Sequence, residues 1–123
     1  MGKEQFDFEK LEVYQRAVSF ADSLYMATHN FPNHEQFGVV SQLRRAALSI
    51  SLNIAEGAGR HHNNERRQFY RMAKSSVHEC VPLLEISKRQ KYLPEEESTE
   101  YYRECQELAR MISGLIKSLP TSD

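Results

Sequence analysis

Four residues at helical spacing carry the clearest chemical signal in this sequence: Arg67, Arg71, Lys74 and His78 step by four, three and four. At about 100° per residue they fall within about 60° of one another. They lie almost opposite an apolar side made of Phe69, Met72, Ala73, Ser76, Cys80, Leu83 and Leu84. A cationic row that points at solvent suits phosphate contacts, which supply sequence-independent affinity through counterion release. An ordinary solvated bundle helix also presents charge on its outer face, so the row alone does not decide between the two. Its surroundings add weight. Residues 1–40 carry a net charge of −3, residues 41–74 of +5 and residues 75–123 of −3. The overall −1 therefore hides a basic middle between two acidic ends. Arg44, Arg45, Arg60, Arg66, Arg67, Arg71 and Lys74 form the candidate nucleic-acid-binding set.

Other chemistries find less support. His61-His62 with Glu65 are metal-ligand types, but adjacent histidines at a helix start diverge and no second cluster completes a site. Neither a metal nor a cofactor is expected. Arg71 and His78, with six residues between them, loosely resemble the Arg-x(4–6)-His element of the HEPN ribonucleases, which are also helical bundles. That likeness implies a shared cleft acting on the RNA backbone. Here the spacing places both residues on the exposed row. No Ser-His-Asp arrangement, phosphate-cradling glycine loop or pair of inward carboxylates is present, and a non-enzymatic protein is expected. Asn53 and Glu56 are read as interhelical hydrogen bonds that set register.

The periodicity predicts four helices, at about 9–29, 35–59, 65–91 and 94–119, in one domain spanning 1–123. In the first, Leu11, Tyr14, Val18, Ala21, Tyr25 and Thr28 recur at three- and four-residue steps, and Phe31-Pro32 ends it. In the second, Val40, Leu43, Ala47, Ile50 and Ile54 form the core stripe, with Gly57 and Gly59 as a left-handed cap. Asn63 or Asn64 is placed to cap the third helix, and Pro82 inside it predicts a kink without a break. Pro94 and Glu95, Glu96 and Glu97 open the fourth, where Tyr101, Cys105, Leu108, Ile112, Leu115 and Leu119 line one face. Short connections make neighbours antiparallel. The fold class is all-α, an up-down-up-down antiparallel four-helix bundle.

The second helix has more apolar surface than one core uses. Phe37, Leu48, Leu52 and Ala55, with Ser41, cluster about 130–140° from the core stripe. A second apolar face needs a second partner, and no helix of a four-helix bundle is central enough to be wrapped by its neighbours. Phe37, Leu48, Leu52 and Ala55 are the candidate subunit interface of a homo-oligomer.

Composition sets the outer bounds. With 123 residues and 40% hydrophobic content, the chain has room for one core. Cys80 and Cys105 fall on apolar stripes as reduced thiols, so a cytoplasmic location is expected. No apolar run reaches the roughly 18 residues of a membrane span, and no membrane partner is expected.

At the second helix the sequence resembles a known family. Phe31-Pro32 and Glu35 are followed by Ser41-Gln42-Leu43-Arg44-Arg45-Ala46, Ser49-Ile50, and Asn53-Ile54-Ala55-Glu56-Gly57 with Arg60. These strings resemble the bundle proteins encoded in intervening sequences of bacterial 23S ribosomal RNA genes, also labelled S23 ribosomal proteins. The accessory variability determinant of diversity-generating retroelements is a relative. The likeness runs from Phe8 to about Leu119; Tyr14 stands where a tryptophan is usual and Ser75 where a glycine is. The resemblance implies ring-like homopentamers and carries no catalytic residues. Its retroelement branch implies binding of nucleic acid and of a protein partner through a basic surface. An interaction scaffold without nucleic acid is the alternative within the binding class.

Overall fold

Apolar residues at three- and four-residue spacing can be buried only by helices that share them, and the computed structural model, which describes residues 5–121, arranges them so. Among these residues the chain forms α1 (Glu12–Thr28), α2 (Val39–Ala58), α3 (Asn63–Arg89) and α4 (Glu95–Lys117). Short 3-10 turns at Asp7–Lys10 and Asn33–Glu35 precede α1 and α2. Each helix packs on its chain neighbours, and α1 closes the ring against α4, while the backbones of diagonal pairs stay farther apart. This is the expected up-down-up-down bundle, with helix ends within a few residues of those read from periodicity.

The core is led by Leu24, Leu43, Ile50, Ile54, Val77, Leu108 and Ile112, all essentially inaccessible. The α2 stripe is as expected: Val40, Leu43, Ala47, Ile50 and Ile54 are buried. On α1 the expected face is wrong by about 70° of rotation. Val13, Ala17, Phe20 and Leu24 join Ala21 and Thr28 inside, whereas Val18 and Tyr25 are exposed. The cause is α4, whose Tyr101 meets Phe20 edge-on at 6.0 Å and draws the neighbouring apolar row of α1 inward. On α3 the shift is smaller, about 30°, and Ala73, Ser76, Cys80 and Leu84 are buried as expected. Tyr70 and Val77 are buried, and Met72, expected in the core, is 47% exposed.

Local chemistry accounts for the ends. The Thr28 hydroxyl donates to the Leu24 carbonyl at 2.8 Å in the last turn of α1, and buried Phe31 follows it. The Glu35 carboxylate accepts the Val39 N–H at 3.3 Å, serving the first turn of α2 from outside the helix. Gly59 ends α2 in right-handed geometry (φ −84°), so the expected left-handed cap is absent there. That conformation falls instead on Lys91 (φ 65°), whose N–H bonds the Lys88 carbonyl at 2.9 Å as the chain turns toward α4. α3 begins at Asn63 with His62 as its N-cap, so Asn63 and Asn64 lie in its first turn. α3 continues unbroken through Pro82.

The α2–α3 contact is the closest in the bundle. A Cβ at Gly57 would lie 2.7 Å from Tyr70 Cε1 and 3.0 Å from Phe69 Cβ. About two turns along α2, Ser76 Oγ donates to Ser49 Oγ at 2.9 Å. Asn53 bonds Ser49 within α2, and Glu56 pairs with Arg60, so neither makes the interhelical bond expected of it. Helix α2 sits where small residues allow the backbones together.

Candidate nucleic-acid interface

The seven cations of the basic segment do not form one patch. Arg44 lies in the α1–α2 seam: Nε donates to Thr28 Oγ1 at 2.8 Å and Nη2 to the Tyr25 carbonyl at 3.1 Å. Its guanidinium stacks 4.7 Å from the Tyr25 ring centroid, so it fastens the last turn of α1. Arg45 is ion-paired with Glu79 across α2 and α3. Arg60 pairs with Glu56 at 2.8 Å and covers the Phe69 ring at 4.6 Å. Arg66 Nε donates to the Arg60 carbonyl at 2.6 Å, closing the α2–α3 turn. These four brace the fold.

Arg67, Arg71 and Lys74 differ. Arg67 donates to the Pro120 carbonyl at 3.1 Å and to Asn64 Oδ1 at 2.9 Å, and neither acceptor carries charge. Among the described residues no carboxylate is ion-paired with Arg67, Arg71 or Lys74. The row stays on the solvent side of α3, with Arg71 about 180° around the helix from buried Cys80, and it borders α4 at its two ends: His78 lines a recess with α4 residues and Arg67 bonds the Pro120 carbonyl. Among the described residues, the surface shared by the N-terminal half of α3 and the C-terminal half of α4 has no acid in it. Glu107 is held on the α1 side by Arg16 (3.7 Å), and Glu65 lies about 180° around α3 from Lys74.

Below this row the seam opens into a recess of about 370 Å³ lined by Val77, His78, Val81, Tyr102, Cys105, Gln106 and Ala109. It continues past Val81 and Tyr102 into a second hollow of about 510 Å³ bounded by Pro82, Glu85, Lys88, Ser98 and Thr99. Tyr102 is 47% exposed. Periodicity does not single out Tyr102 or Gln106, because their significance depends on which helix stands beside α3. Burial pushes the Cys80 thiol up, and pushes that of Cys105 up to about 12, so the floor of the recess is chemically quiet. Both cysteines are free.

The adjacent seam, on the other side of α4 against α1, has the reverse polarity. A groove of about 720 Å³ there is lined by Glu12, Glu97, Glu100 and Glu104, with Arg16 bonded to Glu104 through Nη2 (2.7 Å) and Nε (3.0 Å). That fork, and the Tyr101 hydroxyl 2.8 Å from Ser23 Oγ, tie the loosest side of the bundle.

The candidate subunit face is exposed where the sequence placed it: Phe37 at 93%, Leu52 at 56% and Leu48 at 40%, with Ala55 partly buried. Phe37 stands in the turn before α2, not on the helix. Val18 of α1, level with Leu52 in the antiparallel pairing, extends the apolar surface. Among the described residues no group of three or more His, Cys, Asp or Glu is placed to hold a metal, and no helix is long and apolar enough to cross a membrane.

Comparison with known proteins agrees with this architecture. A search of curated protein sequences gave no match. Among solved structures, a protein of unknown function from the S23 ribosomal protein family of Bacteroides thetaiotaomicron superposes with a TM-score of 0.77 at 21% identity. The superposition covers 86% of this chain and 99% of that one. The family model of the 23S rRNA-intervening sequence proteins matches residues 9–114, all four helices nearly end to end, and the chain belongs to that family.

Proposed function

We propose that this protein is a non-enzymatic homo-oligomeric bundle that binds the phosphate backbone of structured RNA or DNA through the α3 edge. The observation that carries the reading is the contrast within the basic segment. Arg44, Arg45, Arg60 and Arg66 are bonded into the fold, while Arg67, Arg71 and Lys74 have no carboxylate ion-paired with them among the described residues. A cation not held by a carboxylate is free to neutralise a phosphate, and each phosphate neutralised releases counterions condensed on the nucleic acid. Assembly through the exposed Phe37, Leu48 and Leu52 face repeats that edge around an axis, in a ring of five by family likeness. Repetition converts three weak contacts per subunit into avid binding. The buried reduced thiols support a cytoplasmic setting.

Binding of 23S ribosomal RNA fragments at several salt concentrations tests the reading. The logarithm of the binding constant falls linearly with the logarithm of salt, and Arg71→Ala with Lys74→Ala reduces the slope by about one for each phosphate deprived of its cation. Absence of binding at low salt, or a slope unchanged in the double variant, overturns it. RNA cleavage abolished by His78→Ala overturns the non-enzymatic part.

A further inference from the structure

We infer that the α3–α4 recess receives an unpaired nucleobase, so that the preferred ligand is single-stranded or looped nucleic acid and not regular duplex. The inference rests on the phosphate-binding reading above and names the ligand class for the same edge. Three observations converge on it. Tyr102 is a half-exposed aromatic in the same recess as His78, which lies one turn along α3 from Lys74, and base–aromatic stacking is the sequence-tolerant device of single-strand binding. Apolar Val77, Val81 and Ala109 make the rest of the wall, and about 370 Å³ is ample for one base. Polar groups stand at its margin: the Gln106 amide can both donate and accept. Pro82 has no N–H to return to the His78 carbonyl, leaving that acceptor without its usual helical donor.

Charge sets the path of the strand. Lys74, Arg71 and Arg67 follow His78 toward the start of α3 at axial steps of about 6, 4.5 and 6 Å. The other end of the seam is the more acidic: Glu85 is already paired with Lys88 (3.2 Å) and Arg89 (2.8 Å), and Glu95, Glu96 and Glu97 open α4. A strand with a base seated against Tyr102 therefore runs along α3 toward Arg67. A regular duplex keeps its bases stacked inside and cannot fill the recess without flipping one out, which makes it the weaker ligand.

The test measures affinity of the full chain for a single-stranded oligoribonucleotide and for a duplex of the same length. Variants are Tyr102→Ala, Tyr102→Phe and the Arg71→Ala/Lys74→Ala pair, each checked for an unchanged thermal midpoint. Tyr102→Ala is expected to weaken single-strand binding about tenfold while leaving duplex binding and the salt slope unaltered. Tyr102→Phe should bind like the parent. A 2-aminopurine base in the strand should be quenched by the parent and not by Tyr102→Ala. Salt-dependent binding that responds to Arg71→Ala/Lys74→Ala and ignores Tyr102→Ala overturns the base pocket and leaves the phosphate reading standing. No binding of either ligand overturns both.

Discussion

Gly57 of α2 lies so close to the ring of Tyr70 on α3 that a Cβ there would stand 2.7 Å from Cε1 and 2.9 Å from Cδ1. Tyr70 is 4% exposed, and its ring has nowhere to retreat without opening the core. Gly57→Ala should therefore destabilise the bundle, although alanine favours a helix over glycine by about 1 kcal/mol. Overpacking costs about 1–3 kcal/mol, so a lower urea midpoint is the expected outcome. Tyr70→Phe should not rescue it, because the clashing atoms belong to the ring. An unchanged or higher midpoint would show that α2 and α3 can separate at this point without loss.

The apolar face on α2 predicts a mass. Light scattering at micromolar concentration should give a multiple of 14.3 kDa for the parent chain. Leu52→Asp places a charge on a side chain already 56% exposed, so the monomer should fold as before. The variant's mass should drop toward one subunit, with helicity retained. A parent that runs as a monomer sinks the assembly claim.

Acid should weaken the start of α2. Glu35 accepts from the Tyr92 hydroxyl (2.8 Å) and from the Val39 N–H, and these bonds hold its carboxyl below the usual glutamate range. A carboxylate with a lowered folded pKa contributes stability that is present above its unfolded value of about 4.5. That contribution is lost as pH falls through the folded value. Glu35→Gln should flatten the acid limb of the stability–pH curve below about pH 4.5 relative to the parent. An identical acid limb in both proteins would mean that the carboxylate adds nothing.

Cys80 and Cys105 should behave as core residues. Burial raises both thiols far above the range in which a thiolate forms at neutral pH. Iodoacetamide at pH 8 should label neither in the native protein and both in urea, at a rate that follows unfolding. Rapid native labelling of one cysteine would reveal opening of the α3–α4 seam.

Much of this molecule is readable in one dimension because helix formation and single-helix amphipathicity are local. Counting alone finds the α2 stripe from Val40 to Ile54 and the excess apolar row at Leu48 and Leu52. The α4 face of Cys105, Leu108 and Ile112 follows the same way. Helices with two adjacent apolar rows are not decided by counting. On α1 the choice between Tyr14–Val18–Tyr25 and Val13–Ala17–Leu24 depends on where α4 lies, and on α3 the choice between Met72 and Val77 depends on both neighbours. The packed bundle also sets His78, at the end of the cationic row, in one recess with Tyr102, which periodicity leaves unremarked.

Charge shows the same division. Composition and position along the chain determine that a basic segment exists between two acidic ends. Only the tertiary structure decides that Arg45 meets Glu79, that Arg44 fastens the end of α1, and that Arg67, Arg71 and Lys74 are ion-paired with no carboxylate among the described residues. The physical reason is range. Periodicity and propensity act within a few turns of one helix, whereas pairing and desolvation depend on which side chains the packed bundle brings together from 16 to 88 residues apart.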